Sequence, residues 1–346
     1  MLDPPLRTTS LDPPETNGHL HPRWSAEHDL RRSASCEFRH SGWQHDRQRV
    51  YNALIDADTP NSVLDQFAKC GDQAYVLESV DHPGTYKVAG SSCHQRWCLP
   101  CARARSHAIA TNIQDQLKGK PTRFLTLTLR SHNESLHTLL HRITDSFAAL
   151  RRQRIWRRRV TGGVAMIEVK WAKETHRWNV HIHAIIQGLY IDQARLTLAW
   201  KRITRDSYII DIRFVKDQAK VISYVTKYAS KPLSASVLQD HDRLVEAIVA
   251  MKGKRLATTF GTWRGVLLVA EPDPKAWIHL GSLAEMIELA ETGDQKAAKI
   301  CSILNVKIAS TAKRIPTSRA PPASTSLNQR QLMFLEINRC IMLDPG

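Results

Sequence analysis

The chain has 346 residues, and its 49 Lys and Arg against 33 Asp and Glu give a formal net charge of +16 at pH 7. With 42% hydrophobic and 24% charged residues, the composition is typical of a soluble globular protein and excludes collagen-like and wholly disordered classes. No apolar run reaches the roughly 18 residues of a membrane span, and residues 1–15 lack the pattern of a signal peptide. These features predict a cytoplasmic protein with a polyanionic partner and no membrane association.

The predicted elements differ in kind along the chain. Residues 1–65 are rich in Pro, His and Arg and predict an extended or loosely packed arm, and residues 66–121 a cysteine-bearing lead-in. The central part, residues 122–270, predicts in order a strand (122–130), a helix (133–150), a hairpin (162–171 and 178–188), a helix (191–203), a strand (207–215) and a helix (217–231). This order predicts an α+β fold with a ferredoxin-like antiparallel sheet.

The C-terminal part predicts helices without chemistry. In residues 271–313, Ser282 and Glu285 have the spacing of a capping box, Leu283, Met286, Ile287 and Ala290 form one apolar stripe, and Gly293 ends the helix. We expect a helical hairpin here, as core or as a partner surface. Residues 314–346 predict a linker and a terminal segment.

Positive charge is concentrated in residues 96–160, which carry 14 Lys and Arg against 3 Asp and Glu. Six arginines surround Trp156: Arg151, Arg152, Arg154, Arg157, Arg158 and Arg159. Because a guanidinium donates two hydrogen bonds to a phosphate, this cluster indicates nucleic-acid binding. The alternative is a solvated helix end, where the dipole favours cations.

Clustered cysteines indicate a metal site in a chain with few of them. The segment CHQRWCLPC supplies Cys93, Cys98 and Cys101, and Cys70 lies upstream. Four thiolates complete a closed tetrahedral zinc site, so we predict structural Zn²⁺, with His94 as the substitute for Cys70. The alternative is a group of free buried thiols.

A second group of metal ligands lies in the hairpin. His181 and His183 alternate with apolar residues in WNVHIHAII, so both rings project from one face of a strand. Glu168, on the preceding strand, can lie beside them. Two histidines and a carboxylate leave coordination positions open, which is typical of catalytic sites. By itself this set fits a zinc hydrolase or a non-haem iron enzyme equally well.

The segment YVTKYASK places Tyr224 and Tyr228 one helical turn apart, with Lys227 between them and Lys231 a turn further on. A tyrosine hydroxyl attacks phosphorus only with help from a metal or a cation. The alternative is a packed stripe with the two hydroxyls at its margin.

Taken together, FLTLTL, WNVHIHAII and YVTKYASK resemble the three ordered motifs of the HUH endonucleases, specifically rolling-circle replication initiators of plasmids and small phages, two-tyrosine type. The cysteine segment and FGTWRG (260–265) are similar to stretches that flank these motifs. The resemblance implies that His181, His183 and Glu168 bind Mg²⁺ or Mn²⁺, and that Tyr224 or Tyr228 attacks single-stranded origin DNA. The implied products are a 5′-phosphotyrosine link and a 3′-hydroxyl primer, followed by rejoining.

Further partners follow from what the sequence lacks. The chain has no GxxxxGK[ST] phosphate loop, so we expect a separate host helicase, or supercoiling, to open the duplex and a host polymerase to extend the primer. Three alternatives remain: a rolling-circle transposase, a zinc-containing DNA-binding module without catalysis, and a zinc hydrolase.

Overall fold

The computed structural model describes residue 30 and residues 33–117, 121–217, 220–221, 223–224, 234–266 and 276–306. Within them the strands are β1 (Ala74–Ser79), β2 (Tyr86–Gly90), β3 (Thr122–Thr128), β4 (Val160–Ala172), β5 (Arg177–Gly188), β6 (Ile210–Phe214), β7 (Ala257–Gly261) and β8 (Trp277–Ser282). The helices are α1 (Ala34–Arg39), α2 (Gln44–Asp56), α3 (Asn61–Ala68), α4 (Leu99–Leu117), α5 (Leu136–Arg152), α6 (Arg154–Arg157), α7 (Gln193–Thr204), α8 (Ala235–Leu238), α9 (His241–Met251), α10 (Leu283–Glu291) and α11 (Gln295–Ile303).

These elements form a mixed α+β fold with two antiparallel sheets. The larger sheet has the strand order β6-β3-β5-β4-β7, and the smaller has the order β2-β1-β8. The predicted central sequence of strand, helix, two strands, helix and strand is confirmed, and β7 extends the sheet at the β4 edge. The hairpin of β4 and β5 is confirmed and is longer than predicted.

Each face of the larger sheet has its own cover. Leu125, Leu127 and Leu129 point to one face, where they are buried in the core that includes α5, α7 and α9. On the opposite face, Ile109 and Ile113 of α4 pack against the strands. The alternation of β3 therefore separates a fully covered face from one that also carries polar side chains.

The stretch FGTWRG closes the β4 edge of the sheet. Trp263 is fully buried, and its Nε1 donates to Oε1 of Gln187 at 2.8 Å. Gly261 has φ +63°, and a Cβ there would clash with the carbonyl oxygen of Thr161. This stretch is therefore tightly packed against β4 and β5.

The smaller sheet joins distant parts of the chain. β1 pairs with β8, about 200 residues later, through a register that shifts between Val76 and Leu77. The predicted capping box of Ser282 and Glu285 is present, and Asp294 caps α11. The apolar stripe of α10 packs on β1 and β2, with Leu283 fully buried. The apolar stripe of the α10–α11 helical hairpin is therefore buried against the smaller sheet of the same chain.

Residues 33–65 differ from the loosely packed arm that the sequence predicts. They form α1, α2 and the start of α3, and Val50, Tyr51 and Leu54 are buried in the main core. The apolar residues of α2 have helical spacing, but charged residues between them conceal the pattern. Residues 1–29 and the predicted linker at 314–346 lie outside the described residues. No helix within the described ranges is long and apolar enough to cross a membrane.

Stability should fall below about pH 4 because of Asp206, which connects α5 to the loop after α7. Its carboxylate accepts from Nη2 of Arg142 at 2.5 Å and from Nε2 of His132 at 2.7 Å. Burial opposes ionisation, but hydrogen bonds with Ser207, Arg142 and His132 lower the pKa of Asp206 to about 2. A lowered pKa stabilises the fold above the ordinary value of about 4, and this contribution is lost as pH falls towards 2.

We expect Asp206→Asn to lower the free energy of unfolding by about 1–2 kcal/mol at pH 7 and much less at pH 2.5. Urea unfolding at the two pH values measures this difference. An equal loss at both values would contradict the role of the charged pair.

Candidate functional site

The two predicted histidines lie on the polar face of the larger sheet, in the middle strand β5. Their ring centroids are 6.1 Å apart. Thr128, directly opposite His181 on β3, places Oγ1 3.1 Å from Nδ1 of that ring. Thr126, opposite His183, places Oγ1 3.3 Å from its Nδ1. The threonines therefore orient both rings through the same nitrogen.

Glu168 lies on β4, opposite His181 in the register, but its carboxylate turns to His183. Oε2 accepts from Nε2 of His183 at 2.9 Å and from Nζ of Lys170 at 3.0 Å. Burial would raise the pKa of Glu168, but hydrogen bonds with His183 and Lys170 lower it below its ordinary value. The carboxylate is thus ionised at neutral pH.

His181 is the less constrained of the two rings. Burial lowers its pKa to about 4, so the imidazole is neutral at pH 7 and its nitrogen is available to a metal ion. The donor set of two imidazoles and a carboxylate has the chemistry of a divalent-cation site. The three ligand atoms are not gathered within 4.8 Å of one another, since Glu168 is directed to His183.

Tyr224 is the one member of the predicted tyrosine segment that the structure describes. Residues 220–221 and 223–224 are helical. The Tyr224 ring stacks on Phe124 at 4.0 Å between centroids. Its hydroxyl lies 3.0 Å from Nδ1 of His183 and 3.4 Å from Oγ1 of Thr126. A candidate nucleophile and the histidine pair therefore share one site, while Lys227, Tyr228 and Lys231 lie outside the described residues.

The six arginines lie at the end of the sheet where β4 begins. Arg152, Arg154, Arg157, Arg158 and Arg159 are exposed. Arg151 packs over the rings of Phe147 and Phe260, at 5.1 and 5.5 Å, and its Nε has no hydrogen-bond partner among the described residues. Glu168 lies eight positions after Val160 on β4, about 26 Å at 3.3 Å per residue. The cluster and the histidines therefore face different stretches of any bound strand.

The cysteine tetrad consists of Cys70, Cys93, Cys98 and Cys101. All four are buried, and their sulfur atoms lie within 4.8 Å of one another. Cys70 lies 3.8 Å from Cys98 and 3.6 Å from Cys101, measured between Sγ atoms. A tetrahedron with Zn–S bonds of about 2.3 Å has edges of about 3.8 Å. The tetrad therefore fits a zinc ion, with Cys70 as a member; His94 is exposed and lies outside it.

Polar side chains also contact the sulfur atoms of the tetrad. Nη2 of Arg39 donates to Sγ of Cys101 at 3.4 Å, and Oγ of Ser92 lies 3.1 Å from the same sulfur. Hydrogen bonds with Cys101, Cys93 and Cys98 lower the pKa of Cys70, whereas a hydrogen bond with Cys101 raises the pKa of Cys93 and burial raises that of Cys98, so one thiol is ionised more readily than its neighbours. Thiolates are the form that binds metal.

Sequence reasoning missed several residues of both sites. Thr126 and Thr128 lie on the predicted polar face of β3, and Lys170 follows Glu168 by two residues on the same face. Strand alternation alone could have placed these three beside the histidines. Arg39 and Ser92 carry no sequence signal, because their position depends on how α1 packs on the tetrad.

These features define the chain as a two-sheet α+β protein. It carries a buried four-thiol cluster and a histidine pair beside a tyrosine hydroxyl. Residues 86–298 match the family described as "Replication protein" (Rep_1). Since this match spans more than half of the 346 residues, the chain belongs to that family. No curated protein and no solved structure matches the chain.

Proposed function

We propose that this replication protein initiates rolling-circle replication by nicking single-stranded origin DNA with a tyrosine. The observation that carries the proposal is the Tyr224 hydroxyl, 3.0 Å from Nδ1 of a histidine whose Nε2 donates to a carboxylate. Membership of the replication protein family favours an initiator over a transposase. The strand order of β3 to β6 is the one expected of a ferredoxin-like core and supports the HUH assignment.

The proposed reaction is a transesterification at phosphorus. The oxygen of Tyr224 or Tyr228 forms a bond to the phosphorus, and the bond from phosphorus to the 3′-oxygen breaks. The hydroxyl proton leaves the tyrosine, and the departing 3′-oxygen takes up a proton to become a hydroxyl. One phosphodiester replaces another, so the step needs no nucleotide hydrolysis and can run backwards to rejoin the strand.

His181, His183 and Glu168 are the residues that would hold Mg²⁺ or Mn²⁺, which when bound would polarise the scissile phosphate. Thr126 and Thr128 fix the ring orientations through Nδ1, and this leaves Nε2 directed away from β3. Phe124 holds the Tyr224 ring in place by stacking. The exposed arginines near Trp156 would bind phosphates further along the strand.

We expect Thr128→Val to weaken Mn²⁺ binding and nicking by about 10- to 100-fold, because the His181 ring loses its hydrogen bond at Nδ1. Thr128→Ser keeps the hydroxyl and should retain most activity. Titration of nicking rate against Mn²⁺ measures the change. Equal metal dependence of the Val and Ser variants would contradict this role.

The nicking itself can be tested on the DNA that carries the gene. Single-stranded oligonucleotides that tile the flanking DNA are incubated with the protein and Mn²⁺. The cleavage position and the chemical nature of the new 3′ and 5′ ends are then determined. We expect one cleaved position, a 3′ end that a polymerase extends, and a 5′ end that resists kinase labelling even after phosphatase treatment. Cleavage that leaves free 5′-phosphate ends would favour a metal hydrolase instead.

A further inference from the structure

A cleft of about 350 Å³ opens beside the histidine site, at the end of β3. Its lining includes Thr128, Arg130, Asn179, Asp206, Tyr208 and Ile209. Thr128 also bonds the His181 ring, so the cleft and the site share a wall. Asn179 lies two residues before His181 on the same face of β5, about 7 Å along the strand. The cleft therefore directly adjoins the candidate metal ligands.

The cleft presents large apolar side chains and a basic one to solvent. Tyr208 is 57% exposed and Ile209 is 61% exposed. Arg130 is exposed, and its guanidinium has no carboxylate partner in the described part of the chain. Exposed aromatic rings beside basic side chains are typical of surfaces that bind single-stranded nucleic acid, since every base has a face that stacks.

The acidic residue of the cleft is held by two other side chains. The Asp206 carboxylate is paired with Arg142, which also pairs with Glu134, and contacts His132, so it is directed away from Arg130. The loop that carries Asp206 and Tyr208 is also held by hydrogen bonds on either side of Tyr208. The backbone N–H of Arg130 donates to Oγ of Ser207 at 2.9 Å, and that of Thr128 donates to the Ile209 carbonyl at 3.2 Å. The ring of Tyr208 thus belongs to a loop that is already ordered, which reduces the entropy cost of binding.

We propose that this cleft holds the nucleotide next to the scissile phosphate, with its base against Tyr208 and its phosphate at Arg130. The inference rests on the proposed function, which makes the neighbouring histidine site the place where the phosphate is cleaved. The Asn179 amide, which both donates and accepts, lies where it can contact a base edge. The cleft then positions the strand across the histidine face, whereas the arginines near Trp156 bind a more distant stretch.

The test is binding of fluorescein-labelled (dT)20 by the full chain without added Mg²⁺ or Mn²⁺, followed by anisotropy at several salt concentrations. We expect Tyr208→Ala to weaken binding at least about 5-fold without changing the salt dependence, and Tyr208→Phe to bind within about twofold of the wild type. Arg130→Ala should reduce the slope of log affinity against log salt by about 0.7, and Arg130→Lys should keep it. Val249→Ala, at a 56% exposed position on α9, a helix that packs on the opposite face of the sheet, is the control and should bind as the wild type does.

The inference is overturned if Tyr208→Ala binds like Val249→Ala, if Arg130→Ala keeps the wild-type slope, or if the wild type does not bind (dT)20. Thermal melting followed by circular dichroism verifies that each variant is folded. Binding of (dT)20 needs no tyrosine attack, so the two proposals can fail separately. Nicking with unchanged Tyr208→Ala binding contradicts the cleft, whereas Tyr208-dependent binding without nicking contradicts the proposed function.

Discussion

Replacing His181 and His183 together by Ala should reduce nicking of single-stranded DNA by at least about 1,000-fold. The two rings are the nitrogen donors of the candidate metal site, and a metal that neutralises a reacting phosphate contributes several kcal/mol to the transition state. His183 also contacts the Tyr224 hydroxyl, so its loss removes a second interaction. Initial rates on the cleaved oligonucleotide, measured with Mn²⁺ in excess, give the effect.

A matched pair of histidines serves as the control. His137 and His141 are exposed on α5, with ring centroids 4.6 Å apart, and α5 covers the other face of the sheet. We expect His137→Ala with His141→Ala to nick at close to the wild-type rate. Wild-type nicking by the His181 and His183 double variant would contradict the proposed site. Circular dichroism spectra should show that both double variants keep their secondary structure.

Replacing Cys98 by Ser should remove one zinc ion per chain and strongly destabilise residues around the tetrad. Structural zinc contributes about 10–16 kcal/mol in small metal-dependent domains, which is comparable with the stability of a whole domain. Cys98 is fully buried and directly precedes α4, the helix that covers the histidine face of the larger sheet. Loss of zinc should therefore also impair nicking. Elemental analysis and thermal melting of the purified variant measure the two effects.

Three further variants distinguish the zinc ligands from other residues. Cys301→Ser changes a buried thiol that bonds the Met286 carbonyl at 3.7 Å and belongs to a different apolar cluster from the tetrad, so this variant should keep its zinc. Cys70→Ser should lose zinc, whereas His94→Ala should not. A zinc content unaffected by Cys98→Ser, or lowered by His94→Ala, would contradict the four-thiol assignment.

The parts of the fold that could be predicted are those that depend on local pattern. Alternation in β3 and β5 predicted the two faces of the larger sheet, and thus the shared face of His181 and His183. The spacing of Cys93, Cys98 and Cys101 was by itself enough to indicate the metal cluster. Both signals arise because strand geometry and metal coordination fix residue types over short distances.

The parts that sequence reasoning missed depend on distant contacts. β1 is short, and besides its hairpin with β2 it pairs with β8 about 200 residues later, with a shift in register. The helices of residues 33–65 contribute Val50 and Leu54 to a core that also contains Leu127 of β3 and Ile182 of β5, far along the chain. The direction of Glu168 was also not predictable, because it depends on competition between His183, Lys170 and the opposite His181.

The most direct measurement of the central claim is the formation of a covalent adduct between the protein and single-stranded DNA in Mn²⁺. A denaturing gel detects the adduct, and mass spectrometry of the tryptic peptides locates the modified residue. We predict an adduct on Tyr224 or Tyr228, reduced by either Tyr→Phe change and abolished by Tyr224→Phe with Tyr228→Phe. Persistence of the adduct in that double variant, or cleavage by the wild type without any adduct, would contradict the proposed mechanism.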